Sequence, residues 1–394
     1  MKRLIVSAPL LVALLVLQCT NASEFHVATD RTASKNQKEI HSSSVTTGST
    51  TPMDIGRQCD GNFQDAWLDI VVLIDSTRGV GVDGFRGAKA IMWGYLSQLT
   101  ISTGAGRHTR LALINLGSTA HVVASLDDLP STAAAILAFD GMPYLGDPVI
   151  NHEAGLIKAR ELFGQAQRRD VPKLAILVTS REEHCPEEII TEGFESACRA
   201  AASLKTIATL LTVSLVYHDN PIPPLTSLAS PCFATTNQDP NLDQLIVSAN
   251  CFCEGDRWHQ FQHGCVRYDS CIYLHENITG YDSAQHACSS KPQQRLVSID
   301  RPEKNVFVND LASIYKAESF WIGLKMSTST NGVWDHGYVF NFGQDYSAFR
   351  AQPEGDTCTL STKEGWTSQP CTANTDAKKF VCEKKACSVN NFCG

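Results

Sequence analysis

Ser319-Phe320-Trp321-Ile322-Gly323-Leu324 is an apolar, aromatic strand-like stretch set inside a frame of six cysteines. Cys253, Cys271 and Cys288 precede it, and Cys358, Cys371 and Cys382 follow. Cys288 ends the helix-like run Asp282-Ser283-Ala284-Gln285-His286-Ala287-Cys288, and Cys382 closes Phe380-Val381-Cys382. Helical patterns over 281–291 and 301–314 come before the stretch, and short strand candidates with loops rich in Gly, Asp and Ser come after it. That order predicts an α+β domain over residues 251–386.

The cysteines also bear on the compartment. Residues 1–22 carry Lys2 and Arg3, an apolar run over 4–17 and a small-residue end at Thr20-Asn21-Ala22, the pattern of a cleaved secretory signal. The apolar run is shorter than the roughly 20 residues of a membrane span, so no membrane span is expected. Of the fifteen cysteines, Cys19 leaves with the signal and an even number remains. An even set in an oxidising compartment favours disulfides over metal sites. The formal charge of −8 argues against nucleic acid as a partner. Residues 23–58 are rich in Ser, Thr and other polar residues, too poor in apolar side chains to offset the cost of ordering. They are expected to form a disordered spacer.

Residues 59–250 read differently. Leu68-Asp69-Ile70-Val71-Val72-Leu73-Ile74 is a continuous apolar, β-branched run, as in a strand buried on both faces. Strands follow over 110–116, 121–126, 173–179 and 209–217, interleaved with helices over 85–99, 131–139, 151–163, 190–204 and 241–249. The alternation predicts a doubly wound α/β domain with a mostly parallel sheet. Gly79-Val80-Gly81-Val82-Asp83-Gly84 fits the glycine pattern of a dinucleotide loop. It does not follow its strand directly, however, and no acidic residue stands between Asp83 and Asp127 to take a ribose. His152-Glu153 reads as a surface pair on a helix, since Leu156 occupies the place of a zinc-protease's second histidine.

Two resemblances organise these readings. Asp75-Ser76-Thr77-Arg78-Gly79 resembles the Asp-x-Ser-x-Ser loop of von Willebrand factor A domains. In that family the loop, a threonine of a second loop and an aspartate after a later strand hold magnesium, which takes octahedral oxygen ligands. Asp75 and Thr77 fit, whereas Gly79 lacks a hydroxyl, Ile150 stands at the threonine position and Ser180-Arg181 at the aspartate. Ser180, Asp147 and Glu153 are the candidate substitutes.

The cysteine frame and Trp321-Ile322-Gly323-Leu324 resemble the C-type lectin-like domain. The resemblance implies Cys288–Cys382, Cys358–Cys371 and Cys253–Cys271, the last marking an added N-terminal hairpin. It also implies a calcium and sugar site at Gln352-Pro353-Glu354 and Trp366-Thr367-Ser368, with Asp356 as a further oxygen. Calcium takes six to eight oxygens, and Thr367 and Ser368 stand where the family carries an amide and a carboxylate. At both sites the balance favours no bound cofactor.

For the other cysteines, Cys387–Cys393 closes a tail over 387–394, Cys198–Cys232 ties a helix to a late strand and Cys59–Cys251 flanks the first domain. Cys185 and Cys265 have no assigned partner. Asn277-Ile278-Thr279 is an N-glycan sequon. The domain order resembles secreted nematode C-type lectin proteins that join these two modules. The implied role is extracellular recognition of a glycan or protein ligand in innate defence, with a metal-independent matrix or cuticle component as the alternative. No catalytic motif is present, and no enzyme is expected.

Overall fold

The computed structural model describes residues 55–394 except 166–167, 169, 186–195, 217–223, 239, 256, 372–376 and 394. The expected signal, most of the expected spacer and the start of the helix expected over 190–204 lie outside the described residues. The elements of the first half are β1 (Asp69–Asp75), α1 (Gly81–Leu96), β2 (Arg110–Leu116), β3 (Ala120–Ala124), α2 (Thr132–Gly141), α3 (His152–Gln165), β4 (Lys173–Thr179), α4 (Ala197–Lys205), β5 (Thr209–Ser214), β6 (Ala234–Thr236) and α5 (Leu242–Ala249). Those of the second half are β7 (His259–His263), β8 (Val266–Thr279), α6 (Tyr281–Cys288), β9 (Gln294–Leu296), α7 (Pro302–Ile314), β10 (Ser319–Met326), β11 (Asn331–Trp334), β12 (Val339–Asn341), β13 (Thr357–Thr362), β14 (Gly365–Pro370) and β15 (Lys378–Lys385).

The described strands of the first half form a sheet in the order β3-β2-β1-β4-β5-β6. It is parallel except for the antiparallel edge strand β3. All of β1 is buried because side chains alternate between two covered faces. Ile70, Val72 and Ile74 enter one core with α1, α2 and α5, while Val71 and Leu73 enter another with α3 and α4. Helix α1 begins four residues before the expected Phe85, since the Thr77 carbonyl accepts the amides of Val80 and Gly81. The short strand β6 gave no sequence signal, being only Ala-Thr-Thr.

In the second half the sheet path runs β12-β11-β10-β15-β8-β7, with β13 paired to β10 and β14, and β9 to β15. Strand β10 sends Phe320, Ile322 and Leu324 into one core and Trp321 into a smaller one. The Trp321 indole donates to the Thr279 carbonyl at 3.0 Å and meets Tyr281 edge-on. Gly323 is required by close approach: a Cβ there would stand 2.7 Å from the Leu296 carbonyl oxygen. Its own amide donates to Val297, and its carbonyl accepts from Asp335. The glycine therefore lets β10 meet the chain after β9 through backbone bonds.

The disulfides depart from expectation at one end of the first domain. Cys253–Cys271, Cys288–Cys382, Cys358–Cys371, Cys387–Cys393 and Cys59–Cys251 are present. Cys198, however, bonds Cys185, and Cys232 bonds Cys265. The expected Cys198–Cys232 pair is thus corrected. Cys198 and Cys185 pack against the core that holds α3 and α4, whereas the neighbour of Cys232, Phe233, packs into the opposite core. The sheet lies between them.

Both ends of the described chain are built into the structure. Gly56 donates to the Asp269 carboxylate at 2.7 Å, Asp269 donates its amide to Arg57, and Gln58 bridges Tyr268. Residues 56–58 of the expected spacer therefore pair with the second domain. The start of the expected C-terminal tail is buried as well: Val389 is 0% exposed within the first domain's core. Phe252 and Cys387 form an antiparallel bridge. Trp67, also 0% exposed, donates its indole N–H to the Ser388 carbonyl at 3.0 Å and exchanges hydrogen bonds with the Asn250 side chain.

The second domain also encloses a charged cluster. The Lys304 ammonium, 2% exposed, pairs with Glu383, 0% exposed, which also accepts from Ser270 and from the Ser298 amide. Burial pushes the Glu383 carboxyl up, but Lys304 and His336 outweigh it and hold the group below its ordinary value. Removing one partner of such a pair strands a buried charge, at a cost of about 3–5 kcal/mol. Lys304→Met should therefore lower the unfolding free energy of the full chain by about that amount, measured by guanidinium denaturation. A loss below about 1 kcal/mol would show that Glu383 is satisfied without Lys304.

Candidate functional site

The first candidate face lies where β1 and β4 end. Asp75, the last residue of β1, is fully buried and both of its oxygens are engaged by protein groups. Oδ1 accepts from the Thr77 amide at 3.0 Å and from its hydroxyl at 2.7 Å. Oδ2 accepts from the Thr179 hydroxyl at 3.3 Å, the Ser180 amide at 3.1 Å and the Ser180 hydroxyl at 3.0 Å. A carboxylate holding magnesium needs a free lone pair directed at the ion. Here hydroxyl and amide donors fill those directions.

The other expected ligands do not converge on Asp75. Ile150 packs its side chain against the apolar core and offers no oxygen. Asp147 is brought close in backbone terms, since Thr77 and Asp147 form a parallel bridge. Its Oδ2, however, accepts from the Ser118 amide and hydroxyl at 2.8 and 2.7 Å. Those bonds from Ser118 hold the Asp147 carboxyl below its ordinary range. Gly117 makes room for them, because a Cβ there would lie 2.3 Å from Oδ2. The described residues at this face do not assemble a magnesium donor set.

His152 corrects the sequence reading. It is 3% exposed and does not form a surface pair with Glu153. Its Nδ1 lies 3.0 Å from Glu183 Oε2 and its Nε2 lies 2.9 Å from the Thr179 hydroxyl. Glu183, His152, Thr179 and Asp75 thus form one hydrogen-bonded chain. The His152 contact holds the Glu183 carboxyl below its ordinary value, outweighing burial. The only sequence hint was the run of hydroxyl residues, Thr179-Ser180, ending an otherwise apolar strand.

The second candidate face lies at the start of the β13–β14 hairpin. Gln352, Glu354 and Asp356 are exposed, and Pro353 between them is buried. Strand pairing sets Thr359 opposite Ser368 and Leu360 opposite Thr367. The Ser368 hydroxyl accepts the Glu354 amide at 3.2 Å, and the Glu354 carbonyl accepts from the Thr357 hydroxyl at 2.7 Å. Trp366 is buried at the base and donates its indole N–H to Asn305 at 3.2 Å. The structure therefore brings the Glu354 segment and Ser368 together. It does so by clamping the backbone.

The side-chain oxygen donors of the expected set are two carboxylates, one amide and two neutral hydroxyls. Among the described residues no group of three or more His, Cys, Asp or Glu stands where it could hold a metal ion. Asn277 lies apart, exposed near the end of β8.

Comparison with known proteins agrees with both halves. Residues 69–246 match the von Willebrand factor type A domain, and residues 278–384 match the lectin C-type domain. The chain joins a von Willebrand factor A domain to a C-type lectin domain. C-type lectin domain-containing protein 160 of Caenorhabditis elegans is 20% identical over 376 residues, covering 87% of this chain. The chain spans 57% of that relative's length.

Among solved structures, proximal thread matrix protein 1 from the mussel byssus is 16% identical with a TM-score of 0.37, covering 46% of each chain. The mouse scavenger receptor C-type lectin carbohydrate-recognition domain is 25% identical with a TM-score of 0.27, covering 33% of this chain and 94% of its own. Human lithostathine is 20% identical with a TM-score of 0.28, covering 33% and 98%. Among the described residues no helix is long and apolar enough to cross a membrane.

Thr179→Val removes the hydroxyl between His152 and Asp75 while preserving shape. It should destabilise the chain by about 1–3 kcal/mol, the cost of a buried polar group left without a partner. Thr179→Ser should recover most of that loss in the same denaturation measurement. Equal stability of the valine variant and wild type would show that the chain of bonds through Thr179 contributes nothing.

Proposed function

We propose that this chain is a secreted, non-enzymatic recognition protein that binds carbohydrate on microbial or other extracellular surfaces through its lectin domain, in innate defence. The observation that carries this reading is the clamped loop face, where exposed Glu354, flanked by exposed Gln352 and Asp356, is tied to Ser368. Amide, carboxylate and hydroxyl groups of this kind both donate to and accept from sugar hydroxyls. Disulfides from Cys253 to Cys382 brace the domain beneath them, as befits an oxidising compartment.

Calcium is no part of the proposed binding, because Thr367 and Ser368 offer neutral hydroxyls where the expected site needs an amide and a carboxylate. The von Willebrand factor A domain acts in this reading as a metal-independent support, its Asp75 already satisfied by Thr77, Thr179 and Ser180. Asn277 is the proposed N-glycan acceptor, exposed near the end of β8.

A glycan array probed with the full chain should show selective binding that persists in excess EDTA and weakens with Glu354→Ala. Binding abolished by EDTA would overturn the metal-independent reading. A blank array with capture of a purified extracellular protein would favour a matrix or cuticle role instead. For Asn277, material secreted from a eukaryotic host should lose mass on endoglycosidase treatment, and Asn277→Gln should abolish that loss. An unchanged mass would rule the acceptor out.

A further inference from the structure

One cavity of the described residues lies at neither candidate face. It is a cleft of about 740 Å³ between the two domains. One wall comes from the first domain: the Phe63 turn, the segment around Phe233 and the start of α5. The other comes from the β7–β8 turn and Arg267 of the second. Cys232–Cys265 crosses from wall to wall and fixes their separation. Neither domain alone contains this cleft.

Arg267 is the informative group. Its guanidinium lies 4.9 Å from the Phe233 ring centroid. Nη1 donates to the carbonyls of Ser248 and Cys251 at 3.0 and 3.4 Å. Among the described residues neither Nε nor Nη2 has a hydrogen-bond partner, and neither is sealed from solvent. No carboxylate of the described residues lies within ion-pair distance, although burial pulls the proton affinity of this guanidinium down. A half-buried arginine without a counter-charge presents two N–H donors in the fork that fits a carboxylate.

The wall facing it suits a hydroxylated ligand. Asn241 precedes α5, is exposed, and does not use its side chain to cap that helix. Asp243 and Gln244 follow on the same turn and line the cleft with it. Together they supply both donors and acceptors for vicinal hydroxyls. Asp243 also disfavours a multiply charged anion. A cleft of this volume matches the usual range for small-molecule sites.

We propose that the interdomain cleft is a binding site for a carboxylate-bearing sugar, with the carboxylate on Arg267 and the hydroxyls on Asn241, Asp243 and Gln244. This goes beyond the lectin-face reading and does not depend on it. The ligand's one negative charge meets the fixed cation, and its polyol body meets the α5 turn. The site needs no metal.

The test is isothermal titration of the full, oxidised chain with sodium D-glucuronate, using D-glucose and sodium acetate as controls. Glucuronate should bind about tenfold or more tightly than either control, with no change in EDTA. Gln244→Trp, placed at an exposed position, should block the cleft and abolish binding without touching the core. Arg267→Gln should weaken binding about tenfold or more. Should Arg267→Gln fail to fold, Gln244→Trp carries the test alone. No glucuronate binding, equal affinity for glucose or acetate, or binding unchanged in Gln244→Trp would overturn the proposal. Because Glu354→Ala should leave glucuronate binding intact, failure of the lectin-face reading and failure of the cleft are separable.

Discussion

The buried indole of Trp67 is the contact on which the joining of the two domains depends. It sits just before β1 of the first domain, yet its N–H is satisfied by Ser388 beyond the last strand of the second. Its ring is met edge-on by Phe252 from the connection and by Phe392 from the C-terminal segment. A buried indole N–H without a partner costs free energy, so the two chain ends and the interdomain connection are coupled through one side chain. Asn250 completes the coupling by bonding both the amide and the carbonyl of Trp67. Val389 is therefore part of the first domain's core in space, although it follows the second domain in sequence.

Covalent bonds reinforce the same seam. Cys59–Cys251 ties the entry of the first domain to its exit, and Cys232–Cys265 links the two domains directly. Inter-domain interfaces within a chain are ordinarily permissive of relative motion unless large and apolar. The Cys232–Cys265 cross-link and the contacts around the buried Trp67 ring remove much of that freedom. A space between domains that would otherwise open and close becomes a cleft of fixed width, which is the condition for pre-organised binding.

The lectin domain was legible because its signals are local and chemically unambiguous. Trp321, Gly323 and the cysteine frame each have one demanding environment: an indole seeking an acceptor, a strand pressed against a carbonyl, sulfurs paired across a sheet. The first domain was legible through strand alternation, which fixed its layers but left helix starts uncertain by several residues. What stayed hidden depends on contacts between distant segments. Cys232 finds Cys265 only because the domains meet, and a reading that treats each domain alone leaves Cys265 without a partner. His152 appeared exposed because its neighbours in sequence are polar, whereas its environment is set by Thr179 and Glu183 on another strand and loop.

The Asp75 face shows how a buried acid is held by hydroxyl and amide donors alone. A buried carboxylate must be neutralised or hydrogen-bonded. Where magnesium would supply charge, Thr179 and Ser180 supply O–H and N–H donors, and His152 passes the network on to Glu183. The substitution at Ser180 is thus coherent with the rest of the face. An aspartate there would place a second carboxylate beside Asp75 and remove one of its donors, the Ser180 hydroxyl. The Ser180 hydroxyl and amide thus complete the hydrogen bonding of Asp75 from within the protein, and the fold keeps its buried acid without leaving an oxygen unpaired.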